Sequence, residues 1–119
     1  MTQNLQVQPN NEHLEASLLG CLIMDPEQFW KVEPYIPTEN LFYTSKNKRL
    51  YSIIKQMSYN GEVIDTLTVT SNLSKKDKEN GLGGYYITGL FHDEPTASKS
   101  VVYAKKLYED YLYREIIKK

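Results

Sequence analysis

A single cysteine, Cys21, is present among 119 residues, which excludes an internal disulfide and suits a reducing, cytoplasmic setting. Long apolar runs are missing as well. Nothing approaches the roughly 18 residues a membrane-spanning helix needs, so no membrane role is expected. The opening "MTQNLQVQPN" has neither the basic region nor the apolar stretch of a signal peptide, and residues 1–10 read as a disordered polar tail. Basic charge is not in excess either. Fourteen Lys and Arg stand against fifteen Asp and Glu, giving a net charge of −1. A domain that grips nucleic acid unaided carries surplus cations to neutralise phosphates. What remains is a chain 40% apolar with mean hydropathy −0.54, a globular domain large enough to bury a core.

Catalytic equipment is equally sparse. His13, His92 and Cys21 lack the paired spacing of a metal site and read as surface histidines and a small buried thiol. "GLGG" at Gly81 to Gly84 has no following Lys-Ser/Thr and so cannot form a P-loop; it leads into "YYI" and reads as a turn and helix entry. Glu12, Glu15, Asp25, Glu27 and Glu33 lie at helix starts, where the helix dipole favours carboxylates, and form no catalytic pair. The residues predict no catalytic, cofactor-binding or metal-binding site, and an isolated chain that neither binds nor hydrolyses ATP.

Helical periodicity is what the chain does have. Asn10 or Asn11 can cap a first helix whose stripe is Leu14, Leu18, Leu19, Leu22 and Ile23. Gly20 inside it costs about 1 kcal/mol against Ala and predicts close packing there. In "DPEQFWKV", Asp25 is the expected N-cap, Pro26 the first helical residue and Gln28 the partner in a capping box, with Phe29, Trp30 and Val32 facing inward. Thr38 should open a turn carrying Leu41 and Phe42. A longer helix is predicted over Ser45 to Tyr59, with Leu50, Ile53, Ile54 and Met57 inward and Gly61 as its left-handed stop. "EVIDTLTVTSNL" is rich in β-formers, yet Asp65 is a good N-cap, and a helix with Leu67, Val69 and Leu73 on one side is preferred. "SKKDKENGLGG" reads as a solvated turn, "YYITGLF" as a short helix and "HDEPTAS" as a connection. The predicted core is Leu18, Leu22, Trp30, Ile53, Ile54, Leu73 and Leu90. Tyr43, Tyr51, Tyr59, Tyr85, Tyr86 and Tyr103 fall at helical spacing with Leu and Ile and suit the core or a subunit interface.

The last helix, from about Ser98, meets no Gly, Pro or Asn between Val101 and Lys119, and the expectation is that it continues. At roughly 100° per residue, Val101, Ala104, Tyr108, Tyr111, Leu112 and Ile116 make one broad stripe, with Tyr113 and Ile117 nearly opposite. A helix apolar on two sides needs two neighbours. Val102, Tyr103 and Leu107 are therefore expected to dock on the head. Tyr108, Tyr111, Leu112, Tyr113, Ile116 and Ile117 are expected to project as the surface for a subunit or partner. The residues by themselves define a small all-α interaction module.

The order of these signals resembles one family. Glu15, Leu19 and Gly20 fit an E-x-x-x-L-G, Phe42 and Tyr43 an F-Y pair, and Ile64, Asp65, Thr68, Val69 and Leu73 an I-D-x-x-T-V-x-x-x-L. Gly83 and Gly84 fit paired glycines, and Tyr103, Ala104 and Arg114 a Y-A…R ending. This order resembles the N-terminal domain of the bacterial replicative DNA helicase, the DnaB family, from about residue 12 onward. Asn47 and Lys99 depart from the histidine and asparagine the family often carries there.

The resemblance implies a head of about five to six helices over residues 11–98, followed by the first arm of a helical hairpin over 99–119. It also implies pairing of subunits through hairpins into the collar of a hexameric ring, primase as a partner, and DNA contact through a separate motor domain. That ATP-dependent 5'-to-3' motor would hold ATP and Mg. The rival readings are a stand-alone helical replisome adaptor or helicase-loading module, and a nucleic-acid-binding helical domain.

Overall fold

The computed structural model describes residues 11–91 and 97–118, in which every regular element is helical and no strand occurs. The expectations for the 1–10 tail, His92 and most of the "HDEPTAS" connection fall outside these residues. Seven α-helices follow in order: α1 Glu12–Met24, α2 Phe29–Val32, α3 Ser45–Tyr59, α4 Thr66–Ser71, α5 Lys75–Glu79, α6 Gly84–Gly89 and α7 Ser100–Lys118. Short 3₁₀ turns at Pro26–Gln28, Glu39–Leu41 and Ala97–Lys99 link them.

Local chemistry explains most boundaries. Asn11 caps α1, its Oδ1 accepting from Leu14 N at 2.9 Å. Asp65 and Thr68 close a reciprocal capping box on α4. Gly61, at φ +70°, ends α3 in a left-handed turn, with Glu62 N bonded to Met57 O and Gly61 N to Ser58 O. α1 packs against both α3 and α7, with Leu18, Leu19 and Leu22 fully buried between them and the rest of the core. Leu50, Ile53, Ile54 and Met57 of α3 supply the facing side. Each such side chain contributes roughly 1.5–3 kcal/mol by leaving water. Gly20 is buried within α1 as the sequence predicts.

Several expectations are corrected. "SKKDKEN" is not merely a turn: Ser74 and Asp77 form a second capping box, and α5 lies between Ser74 and Asn80. Gly81, at φ +91°, closes it, directing Leu82 into the core. Trp30 is 47% exposed and packs edge-on against Phe29, because the 3₁₀ turn at Pro26–Gln28 shifts the helical phase and turns Phe29 and Val32 inward instead. The Asp25 side chain makes no cap bond to the backbone. It accepts from the Gln28 side-chain amide, whose oxygen in turn accepts from Ser100 Oγ at 2.7 Å. Leu67 is exposed, because it lies about 200° around α4 from Val69, which is buried in the core. Of the tyrosines, Tyr51 is fully buried with its hydroxyl donating to Ile36 O, whereas Tyr59 and Tyr85 are exposed.

Candidate assembly surface

Three stretches far apart in sequence meet at the segment Leu41–Thr44. Glu15, on the first turn of α1, is 1% exposed. Its carboxylate accepts from Tyr43 N at 2.6 Å, from Asn47 Nδ2 at 2.8 Å and, more distantly, from Thr44 N at 3.4 Å. Asn47 Oδ1 accepts from the Tyr86 hydroxyl, which joins α6 to the same network. Thr44 makes no side-chain cap bond at the start of α3, so Glu15 supplies from α1 the negative group that a helix N-terminus favours. Glu15 is therefore a buried tie between elements, not an ordinary helix-start carboxylate. Burial pushes the Tyr86 hydroxyl above its usual range, the Glu15 charge adding to the effect.

Arg114 grips the same segment from α7. It is 5% exposed, donates from Nη2 to Leu41 O at 2.6 Å, and lies over the rings of Tyr43 and Tyr111. Ser100, Ala104, Leu107 and Arg114 form the inward face of α7, with Tyr111 packed against the core beside them. This corrects the expected division of the helix in two respects. Val102 is exposed rather than docked, and docking runs the length of the helix as far as Arg114 instead of stopping near Leu107. Tyr111 belongs to the docked face, not to the projecting one.

The other expected interface residues lie outward. Tyr108, Leu112, Tyr113, Ile116 and Ile117 are all exposed, Ile116 to 67%. At about 100° per residue they sweep roughly half the circumference of α7, from Tyr108 through Leu112, Ile116 and Tyr113 to Ile117 on the far edge. Ion pairs between Lys106 and Glu109 and between Lys118 and Glu115 accompany this face. Chemically it is an apolar, aromatic-bearing strip with charges at its margins, the composition of a protein contact.

Among the described residues, no group of three metal-capable side chains stands together, and no helix is long and apolar enough to cross a membrane. An open groove of about 640 Å³ between α1 and α6 is lined by Ala16, Tyr85, Tyr86, Thr88, Leu90 and Phe91, without an acid/base pair. Cys21 is buried, and desolvation pushes its thiol up to about 11, far from a reactive thiolate. Gly83 and Gly84 lead into the six-residue α6 with Tyr85 and Tyr86 where a P-loop has lysine and hydroxyl. The described residues therefore do not fit a nucleotide with its magnesium.

Fold and surface together define an all-helical domain with α7 docked along it through Ala104, Leu107 and Arg114. The DnaB-like helicase N terminal domain matches residues 7–109, and this chain belongs to that family. It is 30% identical over 117 residues to the replicative DNA helicase DnaC of Bacillus subtilis, covering 97% of this chain and 25% of that protein. It is also 30% identical over 111 residues to the replicative DNA helicase DnaB of Buchnera aphidicola subsp. Baizongia pistaciae, covering 92% and 24%. The chain thus spans about a quarter of the length of these relatives. The crystal structure of the N-terminal domain of DnaB helicase from Mycobacterium tuberculosis has the same fold. The TM-score is 0.86 at 24% identity, over 94% of this chain and 81% of that one.

Proposed function

We propose that this chain is the non-catalytic N-terminal domain of a replicative DNA helicase, serving subunit assembly and primase recruitment in chromosome replication. Residues 11–98 act as the head and 99–119 as the first arm of a helical hairpin. The observation that carries the assembly role is α7: docked through Ala104, Leu107 and Arg114, it still offers Leu112, Tyr113, Ile116 and Ile117 to water. Burying that strip against a second helix from another copy removes apolar area that one head cannot cover. Pairs made this way form the collar of a hexameric ring in the cytoplasm. Unwinding, with its ATP and Mg, and the contact with DNA belong to a motor domain of the whole protein.

The test is charge placed in the strip. Leu112→Lys combined with Ile116→Lys should abolish concentration-dependent association in sedimentation while leaving the melting curve of the head unchanged, since both positions are exposed. Oligomers that persist beside an unchanged melting curve refute the assembly role.

A further inference from the structure

The net charge of −1 hides a strong asymmetry. Lys46, Lys48 and Arg49 at the start of α3 and Lys75, Lys76 and Lys78 on α5 share these two segments with only Asp77 and Glu79 as carboxylates. The two segments sum to +4, leaving −5 for the remainder of the chain, of which Glu15 reaches Asn47 at their edge. The two elements are tied by Arg49 Nε donating to Asp77 Oδ1 at 2.9 Å. Between them lies a cleft of about 390 Å³ lined by Ser45, Lys46, Arg49, Asp77, Asn80 and Leu82.

The cleft has a prepared anion-binding edge. Asp77 is nearly buried and already accepts from Arg49 and from Ser74 N, so its charge is spent within the fold. By taking only Nε, it fixes the guanidinium plane and leaves the paired Nη edge, the geometry that grips a carboxylate bidentately. Lys46 stands beside it with its ammonium over the Tyr86 ring at 4.3 Å. Among the described residues, Lys46, Lys48, Lys75, Lys76 and Lys78 have no ion-pair partner.

We propose that this cleft is a docking site for a carboxylate-rich peptide segment of a partner protein. Nucleic acid fits less well on two counts. Single-strand sites stack bases on open rings, yet the cleft is lined by none and Lys46 covers that of Tyr86. A long polyanion would also run from the +4 corner onto a remainder carrying −5, whereas a short acidic segment ends within it. None of these residues lies on α7, so the site stands independently of the assembly face.

The test is an anisotropy titration of the whole chain at about 50 mM salt, where charge pairing is least screened. The probes are a labelled peptide rich in Glu, a neutral peptide of equal length and an oligothymidylate of matched charge. Saturable binding of the acidic peptide alone is expected, weakened at least about tenfold by Lys46→Glu with Lys76→Glu. Arg49→Lys, which keeps the charge but loses the fork, should also weaken it. Melting curves verify that each variant is folded. Three results overturn the proposal: acidic peptide binding no better than neutral, equal binding to the folded variants, or tighter binding of the oligothymidylate.

Discussion

Replacing Glu15 with Gln changes almost no volume, yet it should be among the costliest conservative substitutions in this chain. The Glu15 carboxylate, itself 1% exposed, accepts two short bonds, from the part-buried Tyr43 N at 2.6 Å and from the buried Asn47 Nδ2 at 2.8 Å. An amide has one acceptor oxygen, so its NH₂ must face one of these donors. That bond is lost and the other becomes a neutral one. Hydrogen bonds to charged groups contribute about 1.5–3 kcal/mol and neutral ones about 1 kcal/mol, so the loss comes to roughly 2–5 kcal/mol. Relief of the buried charge offsets part of this. A domain of this size has about 5–15 kcal/mol in all. With a urea slope of about 1–3 kcal/mol per molar, the midpoint should fall by about 1 M or more, read from Trp30, the only tryptophan. Glu12→Gln, on the same turn but exposed, should stay within about 0.5 kcal/mol of wild type. If Glu15→Gln unfolds alongside Glu12→Gln, the carboxylate is not the tie described above.

Two further outcomes test the fold. Phe29→Ala should cost about 3–5 kcal/mol in urea denaturation followed by helical circular dichroism, and Trp30→Ala far less, because Phe29 is fully buried and Trp30 half open; equal losses would contradict the phase of α2. Asp77 is held below the usual carboxylate range, chiefly by its hydrogen bond from Arg49. Its stabilisation is therefore present above the unfolded carboxylate value of about 3.9 and fades as pH drops through the lower folded value. Asp77→Asn should remove that part of the acid sensitivity, measured by melting temperature against pH; an unaltered profile would rule out the pairing as its source.

Much of this architecture was legible in the residues because it rests on local chemistry. The limits of α3 follow from its apolar spacing and from Gly61, and α4 follows from Asp65 once the cap is allowed to outweigh the β-branched run. α5 was missed because its inward residue is Asp77 rather than an apolar one, leaving no periodicity to read. Trp30 was misplaced where the 3₁₀ turn at Pro26–Gln28 shifts the helical phase, and Leu67 because it stands about 200° around α4 from Val69 and cannot share its face.

The candidate surface divides in the same way. Its outward residues announce themselves as apolar side chains in excess of what one neighbour can bury, whereas Tyr111 and Arg114 take their places from partners at Leu41 and Tyr43. Glu15, Tyr43 and Arg114 were each visible as pieces of separate motifs, and their convergence exists only in three dimensions. Asn47 fits the same point: its amide both donates to Glu15 and accepts from Tyr86, the two roles a neutral imidazole would also fill.

The outer strip of α7 is proposed to join two copies of the chain. Because Cys21 is buried and its thiol is pushed up to about 11, a cysteine introduced at the surface is the reactive one. Cysteine placed singly at Tyr108, Leu112, Tyr113, Ile116 and Ile117 can be compared with cysteine at exposed Val102, roughly 20 Å from Ile116 along the helix. The measurement is the rate of covalent dimer formation with a short bis-maleimide. The account predicts that one or more strip positions cross-link faster than Val102→Cys, and that Leu112→Lys with Ile116→Lys, added to a Tyr113→Cys chain, removes the advantage. Dimers forming no faster at any of the five positions than at Val102 would contradict it.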